Sequence, residues 1–182
     1  AMWYETYYDR ECADKRATGN FNLNWEIVDG LTATAQYAMH DYNYRGSYYA
    51  RGEVDGYPNL ISQTRSTTET RTQTVRDTFT AHLAFNRTFA DKHTVGATLG
   101  YELMSQRYWY LTSNSTGSAS DDVPILDSGI NFKASNKDEK QALMSLFGRV
   151  SYDFAQKYIV SATFRYDGSS KFAKGNQWGF FP

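Results

Sequence analysis

The stretch Asn20-Phe21-Asn22-Leu23-Asn24-Trp25-Glu26-Ile27-Val28-Asp29-Gly30-Leu31-Thr32-Ala33-Thr34-Ala35-Gln36-Tyr37-Ala38-Met39-His40 decides the fold. Phe21, Leu23, Trp25 and Ile27 fall on one face of an extended chain, and Asn20, Asn22, Asn24 and Glu26 on the other. Sustained alternation of this kind is the signature of a strand with one apolar face. Asp29-Gly30 is the dipeptide that a tight two-residue hairpin turn prefers, because both central residues need positive φ. After the turn Leu31, Ala33, Ala35, Tyr37 and Met39 alternate with Thr32, Thr34, Gln36 and His40. The stretch is a β-hairpin.

Two more hairpins follow by the same rule. Val75, Phe79, Ala81, Leu83, Phe85 and Phe89 share a face opposite Thr74, Thr78, Thr80, His82 and Asn86. A turn near Ala90-Asp91-Lys92 leads to Val95, Ala97, Leu99, Tyr101 and Leu103. The third pair runs through Ala142, Met144, Leu146, Gly148, Val150, Tyr152 and Phe154, turns at Ala155-Gln156-Lys157, and returns through Tyr158, Val160, Ala162, Phe164 and Tyr166. The expected strands are 18–28, 31–42, 73–90, 93–110, 141–154 and 158–166. The stretches 43–72, 111–140 and 167–177 are expected to be long loops. Residues 1–17 and the tail from Asp167 show no period and read as far ends of neighbouring strands and their loops.

Composition narrows the choice. The 182 residues carry 19 Lys and Arg against 20 Asp and Glu, a net charge of −1, which excludes a polybasic nucleic-acid binder. One cysteine, Cys12, excludes an internal disulfide and a four-cysteine zinc site. No apolar run is long enough for a transmembrane helix. The opening Ala1-Met2-Trp3-Tyr4 lacks the basic and apolar regions of a leader, so none is expected there. Aromatic residues reach 16%.

Six antiparallel strands fit either a soluble sandwich, with apolar faces packed together, or a segment of a transmembrane barrel, with those faces toward lipid. Three features favour the barrel. Phe85, Phe89, Tyr152, Phe154 and Tyr158 sit beside the short turns, and Tyr42, Tyr44, Tyr108, Trp109, Phe164 and Tyr166 toward the opposite strand ends, as two interfacial girdles would. Short turns alternate with long polar loops. The charges on the apolar faces, Asp77 and Arg87, lie at strand ends, where lipid penalises them least. Six strands are too few to close such a barrel, since the smallest have about eight, so the chain is expected to be part of a larger one.

These residues resemble a known family. Gly148-Arg149-Val150-Ser151-Tyr152-Asp153 followed by Lys157 through Phe172, with Arg165-Tyr166-Asp167-Gly168-Ser169-Ser170 at its centre, is similar to a barrel block of SusC/RagA-type TonB-dependent outer-membrane transporters. Trp178-Gly179-Phe180-Phe181-Pro182 resembles the block that follows it. Asp14-Lys15-Arg16 with Gly19-Asn20-Phe21, and Thr94 through Glu102, are similar more loosely. Lys171 stands where arginine is commoner, which keeps the charge. The family-motif positions are therefore Arg165, Asp167, Gly168, Ser169, Ser170, Phe172, Trp178, Gly179 and Pro182.

The resemblance implies an all-β, up-and-down barrel of about 22 strands, with a plug domain that is not in this chain. It implies import of large nutrients across the bacterial outer membrane of a member of the Bacteroidota. It implies a SusD-like surface lipoprotein partner, coupling to the TonB-ExbB-ExbD complex through parts absent here, and oligosaccharides as first substrate class with peptides second. The strands alone would also suit a passive porin-like channel or a soluble β-sandwich binding module. No nucleic-acid partner and no cofactor is implied.

The residues themselves point to binding rather than catalysis. His40, His82 and His93 are scattered without partners at ligand spacing. Neither a nucleophile elbow nor a phosphate-cradling glycine loop is present. Asp121, Asp122 and Asp127 lack calcium-loop spacing and read as solvated loop residues. Sugars are held by aromatic faces and planar polar groups. The substrate-contact candidates are Tyr44, Tyr48, Tyr49 and Tyr57 with Arg45 and Arg51, then Tyr108, Trp109, Tyr110 and Asn114. Strand parity turns Glu26, His40, Glu102, Arg149 and Arg165 toward the lumen, where the plug or water is the expected neighbour.

Overall fold

A computed structural model describes residues 8–52 and 64–182. The described chain forms one seven-stranded sheet in the order β1-β2-β3-β4-β5-β6-β7. The strands are β1 (Tyr8–Val28), β2 (Leu31–Ala50), β3 (Ser66–Phe89), β4 (His93–Thr116), β5 (Asn131–Phe154), β6 (Tyr158–Ser169) and β7 (Trp178–Phe181). A single 3-10 turn at Leu126–Ser128 interrupts the link before β5. Each strand pairs with its neighbour in sequence, the up-and-down order expected. β5 and β6 are antiparallel from Leu143↔Ser169 to Phe154↔Tyr158.

Two expectations need correction. The strands run well past the residues that alternate: β1 starts at Tyr8 rather than residue 18, and β2 and β4 continue to Ala50 and Thr116. Of the expected long loops, the described residues outside the strands are 51–52 and 64–65 in the first and 117–130 in the second. The reason is physical. Beyond an apolar belt both faces of a strand are polar, so the period vanishes while backbone pairing continues. The second correction is a seventh strand. Trp178–Phe181 pairs antiparallel with β6, Gly168 opposite Trp178 and Arg165 opposite Phe181.

There is almost no core. Among the described residues only Tyr49 and Ala50 are buried hydrophobics. The alternating apolar residues lie in the open instead: Phe21 is 65% exposed, Trp25 63%, Leu99 53% and Val160 68%. No second sheet covers these side chains among the described residues. Leaving so many large side chains in water would forfeit roughly 1.5–3 kcal/mol apiece. An apolar medium against that face removes the cost.

All three turns adopt positive φ. In the first turn Gly30 alone is positive, at φ 81°, whereas Asp29 keeps a negative φ, so only one of the two central residues expected to be positive is so. The other two use residues with a Cβ: Ala90 and Asp91 at 50° and 56°, Ala155 and Gln156 at 52° and 56°. Each is closed by a backbone bond, Lys92 N–H to the Phe89 carbonyl at 3.3 Å and Lys157 N–H to the Phe154 carbonyl at 3.0 Å. Asp153 adds a carboxylate oxygen 2.8 Å from the Gln156 N–H. A left-handed conformation costs a residue with a Cβ on the order of 1 kcal/mol. Ala155→Gly is therefore expected to stabilise the full-length protein by about that amount, read as a higher urea midpoint with an unchanged slope.

The chain divides into two compact units. One takes in Thr18–His40, Val75–Gln106 and Lys140–Pro182, with the three tight turns. The other holds the remaining described residues, with the two longer connections.

Candidate functional site

Parity along each strand assigns the side chains to faces. In the unit with the tight turns, the polar face carries a network around Arg165. Its guanidinium pairs with Asp167 at 2.7 Å and with Glu102 at 3.3 Å, and donates to the Ser145 hydroxyl at 2.9 Å. Arg76 donates to the Gln106 side-chain carbonyl at 2.8 Å on the same parity. Of the expected lumen residues, Glu102 and Arg165 are thus brought together, while Glu26 and Arg149 are exposed and His40 is half-buried.

In the other unit the same parity carries aromatic and polar groups in alternation. The Tyr42 hydroxyl donates to Asp14 at 3.2 Å, and the Arg16 guanidinium lies 5.1 Å from the Tyr42 ring centre. Tyr44 meets the Cys12 sulfur at 3.5 Å, and Arg10 donates to that sulfur at 3.3 Å. Contact with the Tyr44 hydroxyl, then with Arg10, draws the Cys12 thiol below its ordinary value. Tyr48 stacks on Tyr8 with centroids 5.0 Å apart.

The remaining substrate-contact candidates separate. Tyr108 and Tyr110 are half-buried on the polar parity. Asn114 spends its amide on the Thr68 hydroxyl at 2.9 Å and the Thr67 carbonyl at 3.2 Å. Tyr57 lies outside the described residues. Trp109 has the parity of the apolar row and lines a cavity of about 440 Å³ with Lys15, Asn43, Arg45, Arg71 and Gln73. Of these, sequence reading singled out Trp109 and Arg45. Strand parity was the available signal for Lys15, Asn43, Arg71 and Gln73.

Tyr49 belongs to a clasp between the two longer connections. It is 2% exposed and donates to Asp121 at 2.7 Å. The Gly52 N–H donates to the same carboxylate oxygen at 3.1 Å, and Arg65 pairs with it at 3.0 Å. Asp121 is therefore not the solvated loop residue expected. Nothing local signals the contact, because its partners lie 69 and 72 residues away. Burial, reinforced by the neighbouring carboxylate, pushes the Tyr49 phenol up to about 12. Burial alone would raise Asp121. The hydrogen bonds from Tyr49 and Gly52, with Arg65 beside them, outweigh it and hold the carboxyl below the usual range.

Both shifts have signs that can be tested. The depressed Asp121 stabilises the clasp above the ordinary carboxylate value near 4, and that stability is lost as pH falls through the lower folded value. The raised Tyr49 stabilises it below the ordinary phenol value near 10, and that stability is lost as pH rises through about 12. Asp121→Asn is expected to speed hydrogen exchange of the Gly52 amide about tenfold or more at neutral pH, read by exchange mass spectrometry on the full-length protein.

Among the described residues no three His, Cys, Asp or Glu side chains converge on a metal site. What the arrangement shows is one polar, aromatic face and one exposed apolar face.

No protein-family model matches the chain. Among curated proteins, TonB-dependent receptor P39 of Formosa agariphila is 37% identical over 103 residues, 54% of this chain and 10% of that protein. TonB-dependent receptor P3 of the same organism is 25% identical over 185 residues, 100% of this chain and 18% of its own length. The TonB-dependent receptor SusC of Bacteroides thetaiotaomicron is 46% identical over 43 residues, 24% of this chain and 4% of that protein. The chain thus spans a fifth or less of each relative's length. Among solved structures, that of the RagAB peptide transporter superposes with a TM-score of 0.90 at 20% identity, covering 98% of this chain and 20% of that one. The RagAB importer in its open-open state matches with a TM-score of 0.90 at 21% identity, over 99% of this chain and 20% of that one.

An antiparallel up-and-down sheet with an exposed apolar face and a networked polar face, superposable on one fifth of such a protein, is a segment of a transmembrane β-barrel. The chain is similar to SusC/RagA-type TonB-dependent receptors, matching a part of their barrel. These relatives are receptors and transporters rather than enzymes, and proteins of this kind reside in the outer membrane.

Proposed function

We propose that residues 1–182 form part of the barrel wall of a TonB-dependent importer in a bacterial outer membrane, with the plug elsewhere in the full protein. Its cargo is a large nutrient, oligosaccharide first, and a SusD-like lipoprotein serves as its surface partner. The observation that supports this most is the polar parity beyond the belt. There Tyr8, Tyr48, Tyr42 and Arg16 present rings and a guanidinium, the groups that hold sugars by stacking and planar hydrogen bonding. The expected import direction uses TonB-ExbB-ExbD energy through parts of the protein outside this stretch.

A peptide cargo is the second reading, favoured by the likeness to the RagAB peptide transporter. The test is growth of a strain lacking the full-length gene, on oligosaccharide or on peptide as sole carbon source, with the wild-type gene restored in parallel. Loss of growth on oligosaccharide alone supports the first reading. Loss on peptide alone supports the second. Uptake that survives removal of TonB excludes an energised importer and leaves a passive channel. Tyr42→Ala in the restored gene is expected to lower uptake about three- to tenfold, since a ring contact with a ligand contributes about 0.5–1.5 kcal/mol.

A further inference from the structure

The cavity lined by Lys15, Asn43, Arg45, Arg71, Gln73 and Trp109 is not explained by cargo binding. These six residues have the wrong parity. Lys15 shares its side of β1 with Phe21, Leu23, Trp25 and Ile27. Arg45 shares its side of β2 with Leu31 through Met39, Arg71 its side of β3 with Phe79 and Leu83, and Trp109 its side of β4 with Leu99 and Leu103. All six fall within one compact unit. We propose that this cavity binds the phosphate-bearing head group of a membrane glycolipid on the lipid side of the barrel wall. The proposal rests on the reading of that face as the one toward lipid.

Three observations carry it. Lys15, Arg45 and Arg71 are all exposed and converge on one concavity, and among the described residues none of them makes an ion pair. Arg107, of the same parity, shows the alternative, because Asp138 holds it at 2.6 Å. Asp41, a carboxylate beside the cavity, is occupied by its amides, accepting from Asn43 at 2.8 Å and Gln73 at 3.3 Å, while Glu11 and Glu69 lie further along the same side of β1 and β3. Asp41 reduces the positive charge and also fixes both amides. Next, the size fits: about 440 Å³ lies within the range of small-ligand sites. Finally, Trp109 supplies the ring that favours a membrane interface, and the long stems of Lys15 and the arginines can lie along apolar surface while their heads reach a phosphate. Basic pockets of this composition recognise anionic head groups.

The test uses the full-length receptor in a neutral detergent. It is titrated with a phosphorylated diglucosamine lipid, the same lipid with its phosphates removed, and inorganic phosphate, with bound lipid counted by native mass spectrometry. Each cation near an anionic surface is worth about fivefold, so K15Q/R45Q/R71Q is expected to weaken binding of the phosphorylated lipid on the order of a hundredfold. Arg149→Gln, a cation of the opposite parity, is expected to leave binding unchanged. Intact folding of each variant is checked by its heat-dependent shift on a semi-native gel. Equal binding of the phosphorylated lipid by folded wild-type and triple-variant protein overturns the proposal. Equal binding of phosphorylated and phosphate-free lipid overturns it as well. Displacement of the lipid by inorganic phosphate at equal concentration makes the cavity a free-phosphate site and overturns the lipid assignment. Leu99→Arg and Thr98→Arg, compared for stability in bilayers, separate a failure of the facing itself from a failure of the cavity.

Discussion

Replacing Leu99 by arginine is expected to destabilise the full-length receptor in bilayers by about 2–4 kcal/mol, whereas Thr98→Arg one residue earlier changes stability by less than about 1 kcal/mol. Leu99 lies midway along the apolar row of β4, between Val95 and Leu103, and is 53% exposed. It lines a largely apolar hollow with Leu23, Trp25, Leu83 and Leu146. An arginine there has no carboxylate to meet and must carry its charge near the bilayer midplane. Thr98 has the parity of Glu102, the carboxylate that pairs with Arg165. A new cation on that side meets water and polar groups. Urea unfolding from phospholipid vesicles measures both. A penalty at Thr98 with none at Leu99 would invert the faces, and no penalty at either would remove the membrane from the account.

The same asymmetry explains what the sequence could and could not reveal. Where one face meets an apolar medium, as in Phe21–Ile27 and Leu31–Met39, every second residue is constrained and the strand is legible. In Tyr8–Arg16 and in Tyr42–Ala50 both faces are polar, nothing constrains alternate residues, and the strands vanish from view although their pairing continues. β7 was hidden for another reason. Trp178–Phe181 is four residues long, too short to show a period, and it pairs along the edge that β6 offers. Ala90-Asp91 and Ala155-Gln156 read as turns by position, but of these residues only Asp91 is of a type that favours positive φ. The candidate site shows the same limit. The polar facing of Arg165 and Glu102 follows from parity, while their ion pair does not. The Tyr49–Asp121 clasp depends on contacts about seventy residues apart in sequence, which no local pattern encodes. The resemblance at 165–182 identified a block of residues without giving the physical reason for any of them.

That reason is packing, and it makes Gly168→Val the second large effect, about 2–3 kcal/mol of destabilisation. Gly168 stands opposite Trp178 in the β6–β7 register. A Cβ at Gly168 would lie 2.7–2.8 Å from three atoms of the indole ring. The ring cannot yield without cost, because it is stacked on Tyr166 at 4.8 Å with planes 11° apart. Overpacking contributes roughly 1–3 kcal/mol and loss of the aromatic pair roughly 0.5–1.5. The neighbouring motif residues tighten the same corner. Arg165 and Asp167, of like parity on β6, form their ion pair on one face. Ser169 N–H donates to the Gln177 carbonyl at 2.9 Å, and Ser170 exchanges bonds with Ala142, donating its N–H at 3.0 Å and accepting at its hydroxyl at 2.8 Å. If the block is a structural closure, Gly168→Val and Trp178→Ala will be strongly non-additive, because removing the indole removes the obstacle that valine meets. The double variant should then be little worse than Trp178→Ala alone, with amide exchange at 178–181 fast in both. Simple additivity of the two losses would mean that Gly168 is required for something other than the ring that covers it.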